Sequence, residues 1–188
     1  MKRYTLLIFF GLIFLTGCRG GPTVYIHPNA DLSLIKNIAV LPFDNLTQDR
    51  FAADKVQKIL ITELLSLGAF EVAEPGQVLK ALRDQGIEVP STMIAPQVKK
   101  VGEATGSQGL IFGTVVDYGE SRVGTNPSPE VTIQLRLVEA QSGVTLWSVS
   151  HTRSGVKIPV RLFGVGGETP TQATQRLIRQ QINTILMK

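Results

Sequence analysis

Few side chains in this chain are suited to chemistry. One cysteine, Cys18, and two histidines, His27 and His151, are the only thiol and imidazole groups among its 188 residues. A metal centre needs three or four donors converging in space, and two histidines so far apart in sequence do not suggest one. A single cysteine also has no partner for an internal disulfide. Asp44 follows a short apolar run, where α/β enzymes often place a carboxylate. No second acid, lysine or histidine is recognisable beside it to share a proton, so Asp44-Asn45 reads as a turn whose side chains bond to local backbone. No Gly-x-Ser-x-Gly elbow presents a nucleophile. Gly164-Val165-Gly166-Gly167 suggests a phosphate cradle, but a dinucleotide fingerprint would need glycine where Thr169 stands, and Glu168 would repel the phosphate. The expectation is a protein with no catalytic residues, no cofactor and no metal.

The N-terminus makes better use of the cysteine. Met1-Lys2-Arg3 is positive, and residues 4–15 are apolar except for Thr5 and Gly11. A run of about twelve residues is too short for a bilayer span of about twenty and fits the core of a secretory signal. It ends in Leu15-Thr16-Gly17-Cys18, which resembles the bacterial lipobox. That resemblance implies cleavage after residue 17, a diacylglyceryl group on the Cys18 thiol and an acylated new N-terminus. One acyl chain anchors only marginally, at about 0.8 kcal/mol per buried methylene, whereas several on one residue hold firmly. Arg19 stands where an aspartate commonly marks inner-membrane retention, so the periplasmic face of the outer membrane is the expected location. The formal charge is +4, half of it from Lys2 and Arg3 in a leader without acids. The remainder is too nearly neutral to suggest nucleic acid as a partner.

Behind the cysteine, residues 18–36 hold Gly20, Gly21, Pro22, Pro28, Asn29 and Asp31 and read as a linker. It reaches about 60 Å at most, and Thr23-Val24-Tyr25-Ile26 within it has the composition of a short strand. The body, residues 37–188, shows clearer periods. Ile38 to Phe43 reads as a buried strand, and residues 51–67 carry a helical stripe started by Thr47 or Asp49 and ended by Gly68. A strand at residues 70–73 and helices from Pro75 and Pro96 follow. Residues 110–118, 131–138 and 144–152 then form an antiparallel meander turned at Ser142-Gly143, and a last helix starts at Thr169-Pro170. The fold class is α+β, an α/β sandwich with a mixed sheet of about five strands covered by about four helices. Trp147 reads as a packing residue, His151 as a surface residue, and Arg176 and Arg179 as a basic face without acidic neighbours on their helix.

Three stretches carry a family resemblance: Asn37-Ile-Ala-Val-Leu-Pro-Phe-Asp-Asn45, Gly102-Glu-Ala-Thr-Gly-Ser-Gln-Gly-Leu-Ile-Phe-Gly113 and Leu137-Val-Glu-Ala-Gln-Ser-Gly-Val-Thr-Leu-Trp-Ser148. They resemble the CsgG-like, LpoB-like and TolB-N-terminal-like domains of bacterial envelope proteins. The resemblance implies a periplasmic module with protein partners in the periplasm or outer membrane, and fold alone does not choose among its functions. A CsgG-like secretion channel needs about four membrane strands per protomer. Here the corresponding stretches are the short polar 119–130 and residues 156–167, which Pro159 interrupts. An LpoB-like activator of a peptidoglycan synthase reaches its partner on a long tether, which this chain lacks. The expectation is an accessory or assembly factor of an envelope complex. Val156, Ile158, Val160, Leu162 and Phe163 form its candidate surface for a partner or for homo-oligomerisation.

Overall fold

The computed structural model describes residues 21–123, 126–154 and 168–186. The sheet grows outward from β2 (Asn37–Val40), whose side chains are buried on both faces: Ile38 and Val40 on one, Ala39 and, just beyond the strand, Leu41 on the other. Both neighbours run parallel to it, β4 (Glu71–Val72) on one side and β5 (Gly109–Val123) on the other. Parallel pairing requires crossovers. Helix α1 (Ala52–Leu67) connects β2 to β4, and α2 (Pro75–Asp84) with α3 (Ala95–Thr105) connects β4 to β5. The chain then turns antiparallel through β6 (Asn126–Glu139) and β7 (Thr145–Arg153) and ends in α4 (Pro170–Leu186).

The sheet order is β1-β7-β6-β5-β2-β4, where β1 is Thr23–Ile26, and β3 (Asp44–Asn45) pairs with β5 beyond the end of β2. The mixed α+β sheet is as expected, and among the described residues it has seven strands, the additions to the expected five being short β1 and β3. β1 leaves Val24 and Tyr25 exposed, so no apolar alternation marks it, and backbone pairing to β7 holds it in place. The segment read as linker is thus attached to the sheet from Thr23, and Ile35 enters the core. Asp44 and Asn45, read as a turn, run parallel to Thr114 and Val115. The turn chemistry still operates one step later, where Asn45 Oδ1 accepts from the Thr47 N–H at 3.0 Å.

One face of the sheet packs Val40, Ile111, Ile133, Leu135 and Trp147 against Val56, Leu60 and Leu64 of α1 and Leu177, Ile178 and Ile182 of α4. Among the described residues the other face is covered near β2, where Leu41, Leu110, Phe112 and Val138 meet Val78 and Leu82 of α2 and Val98 and Val101 of α3. Beyond that cover the alternating positions are polar, with Gln134, Arg136 and Thr152 exposed, as in a one-sided antiparallel sheet. The helix ends follow their signals. Asp49 Oδ1 accepts from the Phe51 N–H at 2.9 Å before α1, and Gly68 closes it in the left-handed region at φ 62°, where a Cβ would be strained.

Residues 119–130, expected as a short polar connection, continue the β5–β6 ladder to Val123 opposite Asn126. A bulge between Val115 and Asp117 shifts the phase of β5, so Tyr118 packs against the core that Val115 also faces. Two prolines explain where β7 stops. Pro129 stands opposite Glu120 and Pro127 opposite Arg122. Having no N–H, both occupy non-hydrogen-bonded positions and turn their nitrogens to the outer edge of β6. A strand continuing past Arg153 would find no donors there, and β7 ends opposite Val131.

Candidate interaction surface

Two described elements flank the candidate surface in sequence. β7 ends at Arg153 and α4 begins after Glu168, and these two residues are bonded to each other. Arg153 Nε and Nη2 both donate to Glu168 Oε2, at 3.1 and 3.0 Å. Arg176 on the first turns of α4 approaches Oε1 of the same carboxylate at 3.0 Å. The Glu168 side chain is 7% exposed and that of Arg153 24%, so water screens this fork less than a surface pair. The two residues that flank the stretch are therefore held together, a neck closed by a carboxylate between two guanidiniums. Val156, Ile158, Val160, Leu162 and Phe163 lie between its two sides, outside the described residues, as do Cys18 and the glycines at 164–167.

Glu168→Ala is expected to cost about 2 kcal/mol, the usual worth of hydrogen bonds to a charged group, and to lower Tm by about 4–8 °C. Arg176→Ala, at a side chain 52% exposed, should cost less than about 1 kcal/mol. Thermal unfolding followed by circular dichroism separates the two. Equal effects would show that Arg153 and Glu168 do not form the neck.

The basic face expected on α4 is not free. Arg179 bonds Glu63 of α1 through Nε and Nη2, at 2.5 and 3.3 Å, and the hydrogen bond and charge of Glu63 raise its pKa. Sequence reading missed these partners because each acid lies outside the helix. His151 is likewise corrected: it is 8% exposed, and its Nε2 lies 3.0 Å from Gln180 Oε1. Its strand position puts it on the face that α4 covers. Trp147 packs as expected and donates from Nε1 to Thr184 Oγ1 at 2.9 Å. The fully buried Gln181, which sequence did not single out, donates to the Ile133 carbonyl at 2.8 Å. Its regular spacing from Leu177, Ile178 and Ile185 was the available signal, and its polarity concealed it.

Asp44 lines an open hollow of about 260 Å³ on the polar side of the sheet, with Thr114, Gln134, Arg136, Ser148 and Phe112 among its walls. The Arg136 guanidinium sits 4.7 Å from the Phe112 ring centroid. This lining contains no imidazole or amine beside the carboxylate. His27 is not in the lining, and its Nδ1 accepts from the Asn29 N–H at 3.2 Å. At the start of α1, Asp49 pairs with Lys55 at 2.7 Å. The hydrogen bond from Lys55, then that from the Phe51 N–H, holds the Asp49 carboxyl below its ordinary pKa.

The mixed sheet, its two-layer cover and its antiparallel meander define a class of α+β domain that recurs in solved structures. PelC from Paraburkholderia phytofirmans, described as a dodecamer, superposes with a TM-score of 0.59 at 17% identity over 88% of this chain and 98% of that one. Lipoprotein GNA1162 from Neisseria meningitidis gives 0.56 at 19% over 81% and 99%. The hypothetical protein CT253 from Chlamydia trachomatis gives 0.53 at 12% over 80% and 95%. At these identities the likeness is one of fold. No curated protein matches the sequence. The family model described as "Putative lipoprotein GNA1162-like" matches residues 31–185, and the chain belongs to that family. Membership supports a bacterial envelope lipoprotein and does not single out the CsgG-like branch.

Proposed function

We infer that the protein is a lipoprotein anchored through Cys18 to the periplasmic face of the outer membrane. It acts without catalysis as an assembly or accessory factor of an envelope complex. Its docking surface is the stretch carrying Val156, Ile158, Val160, Leu162 and Phe163. The observation that carries this reading is the neck: Arg153 and Glu168 hold both ends of that stretch together. Support comes also from Pro127 and Pro129, which leave the edge of β6 beyond Arg153 short of N–H donors for a further strand. A lipid anchor raises the local concentration of the domain near its partners, so weak contacts suffice. The tether supports a partner near the anchoring membrane. With β1 in the sheet, only residues 18–22 are left to extend, about 18 Å, which makes an LpoB-like reach through the cell wall the weaker reading.

The test is co-purification of envelope proteins with the membrane-extracted lipoprotein and with its Ile158→Ser/Leu162→Ser variant. Loss of the co-purifying proteins, with Tm unchanged within about 2 °C, is expected because exposed substitutions rarely cost more than about 0.5 kcal/mol. A large fall in Tm would show that these residues pack on the body. A second reading, a self-associating subunit or accessory of a secretion channel, draws on the dodecameric state of the PelC neighbour. A ring of defined mass in detergent, lost in the same variant, would favour it.

A further inference from the structure

The polar face of the sheet holds two opposite charges that have no ion-pair partner among the described residues. Phe112 pairs with Arg136 and Arg136 with Ser148, one row across β5, β6 and β7. The next row on the same face is Asp44, Thr114 and Gln134. Both rows line the hollow of about 260 Å³. Phe112 is buried, and the Arg136 guanidinium lies over its ring, 4.7 Å from the centroid. Stacking thus holds an exposed cation in one place. Among the described residues the Arg136 side chain donates to no acceptor, and the Asp44 carboxylate accepts from no donor. The side chains of Thr114, Gln134 and Ser148 are likewise without hydrogen bonds to described residues. By contrast Arg153, Arg176 and Arg179 each reach a carboxylate.

We propose that this hollow binds a short free peptide of two or three residues, its terminal carboxylate on Arg136 and its terminal ammonium on Asp44. The guanidinium is held above β5 at Phe112, and Asp44 stands one strand across and two residues along. At about 4.8 Å between strands and 3.3 Å per residue, the two charges are about 8 Å apart. That is too far for them to neutralise each other. A peptide of two or three residues reaches about 7–10 Å and spans the gap, whereas a free amino acid carries both charges on one carbon and does not. The fork of Arg136 suits a carboxylate, which it can hold through two parallel N–H donors. Between the charges Thr114, Gln134 and Ser148 offer donors and acceptors to the peptide amides, while Phe112 and Pro42 give apolar surface to small side chains. A purely anionic ligand would be repelled by Asp44, and a purely cationic one by Arg136. Such binding requires neither the anchor at Cys18 nor the stretch at 156–163.

Isothermal titration calorimetry of the full chain, purified in detergent, with tri-alanine tests the site. Saturable binding with a Kd of about 1 mM is expected. N-acetyl-tri-alanine, tri-alanine amide and free alanine should each bind at least about tenfold more weakly, because each forfeits hydrogen bonds to a charged group. Asp44→Asn should weaken tri-alanine about tenfold and leave the acetylated peptide unaffected, and Arg136→Gln should do the same with the amide. Both substitutions lie at side chains open to solvent and should hold Tm within about 2 °C. Tri-alanine that gives no saturable heat up to about 20 mM, or that binds no better than its two blocked forms, overturns the site. So does full binding by both variants, since the peptide would then sit elsewhere.

Discussion

Trp147→Ala should lower stability by about 4 kcal/mol, within the range for truncating a buried aromatic residue. Tm should fall by about 8–16 °C for a domain of this size. Trp147 is 1% exposed and stands opposite Leu137 on β6 and Ile26 on β1, under α4. It therefore joins three strands and a helix that lie far apart in sequence, and no neighbour can collapse into its space without moving one of them. The cost is chiefly the cavity. Thr184 still donates to the Gln181 carbonyl at 2.7 Å, so loss of the indole N–H leaves no unpaired donor. Trp147→Phe keeps most of the volume and should cost only about 1–2 kcal/mol. Denaturant unfolding of the two variants checks the argument, and equal losses would mean that the hydrogen bond, not the volume, is what matters.

Gly102→Val should cost about 2–3 kcal/mol, through overpacking rather than through a hole. Gly102 lies in α3, and a Cβ there would come 2.4 Å from the Ala140 Cβ and 3.1 Å from the Ser107 carbonyl oxygen. Replacing glycine inside a helix normally gains a few tenths of a kcal/mol, and here the clash is several times larger. A backbone carbonyl and a β-carbon cannot swing aside as the end of a long side chain can. Ala140→Gly in the same chain removes the nearer contact and should restore about half of the loss. The two substitutions should therefore be non-additive in a double-mutant cycle. Additive effects would place α3 farther from the β6–β7 turn than the structure shows.

Both residues show how much of the fold can be read in advance. Trp147 was legible as a packing residue because the strand around it alternates. Nothing local indicated that Gly102 would face Ala140, since a glycine in a helix pattern carries no sign of what approaches it. The candidate site divides in the same way. The apolar stretch at 156–163 and Cys18 are evident from composition and spacing. Glu168, which closes the neck, looked like an incidental acid beside a glycine run, because its partner Arg153 lies 15 residues earlier in the chain.

By itself the sequence determined the local elements: the helices begun by Pro75, Thr169-Pro170 and Asp49, the alternating meander and the Gly68 stop. Each depends on residues within a few positions of one another, and backbone periodicity converts those patterns directly into buried faces. Tertiary structure alone decided the pairings of β1, β3 and the 119–130 ribbon, the burial of His151, and the bonds from Arg179 to Glu63 and from Arg153 to Glu168. Their strength comes from backbone amides and charges that are indifferent to side-chain pattern, and they form only where the rest of the fold has already brought distant chain together.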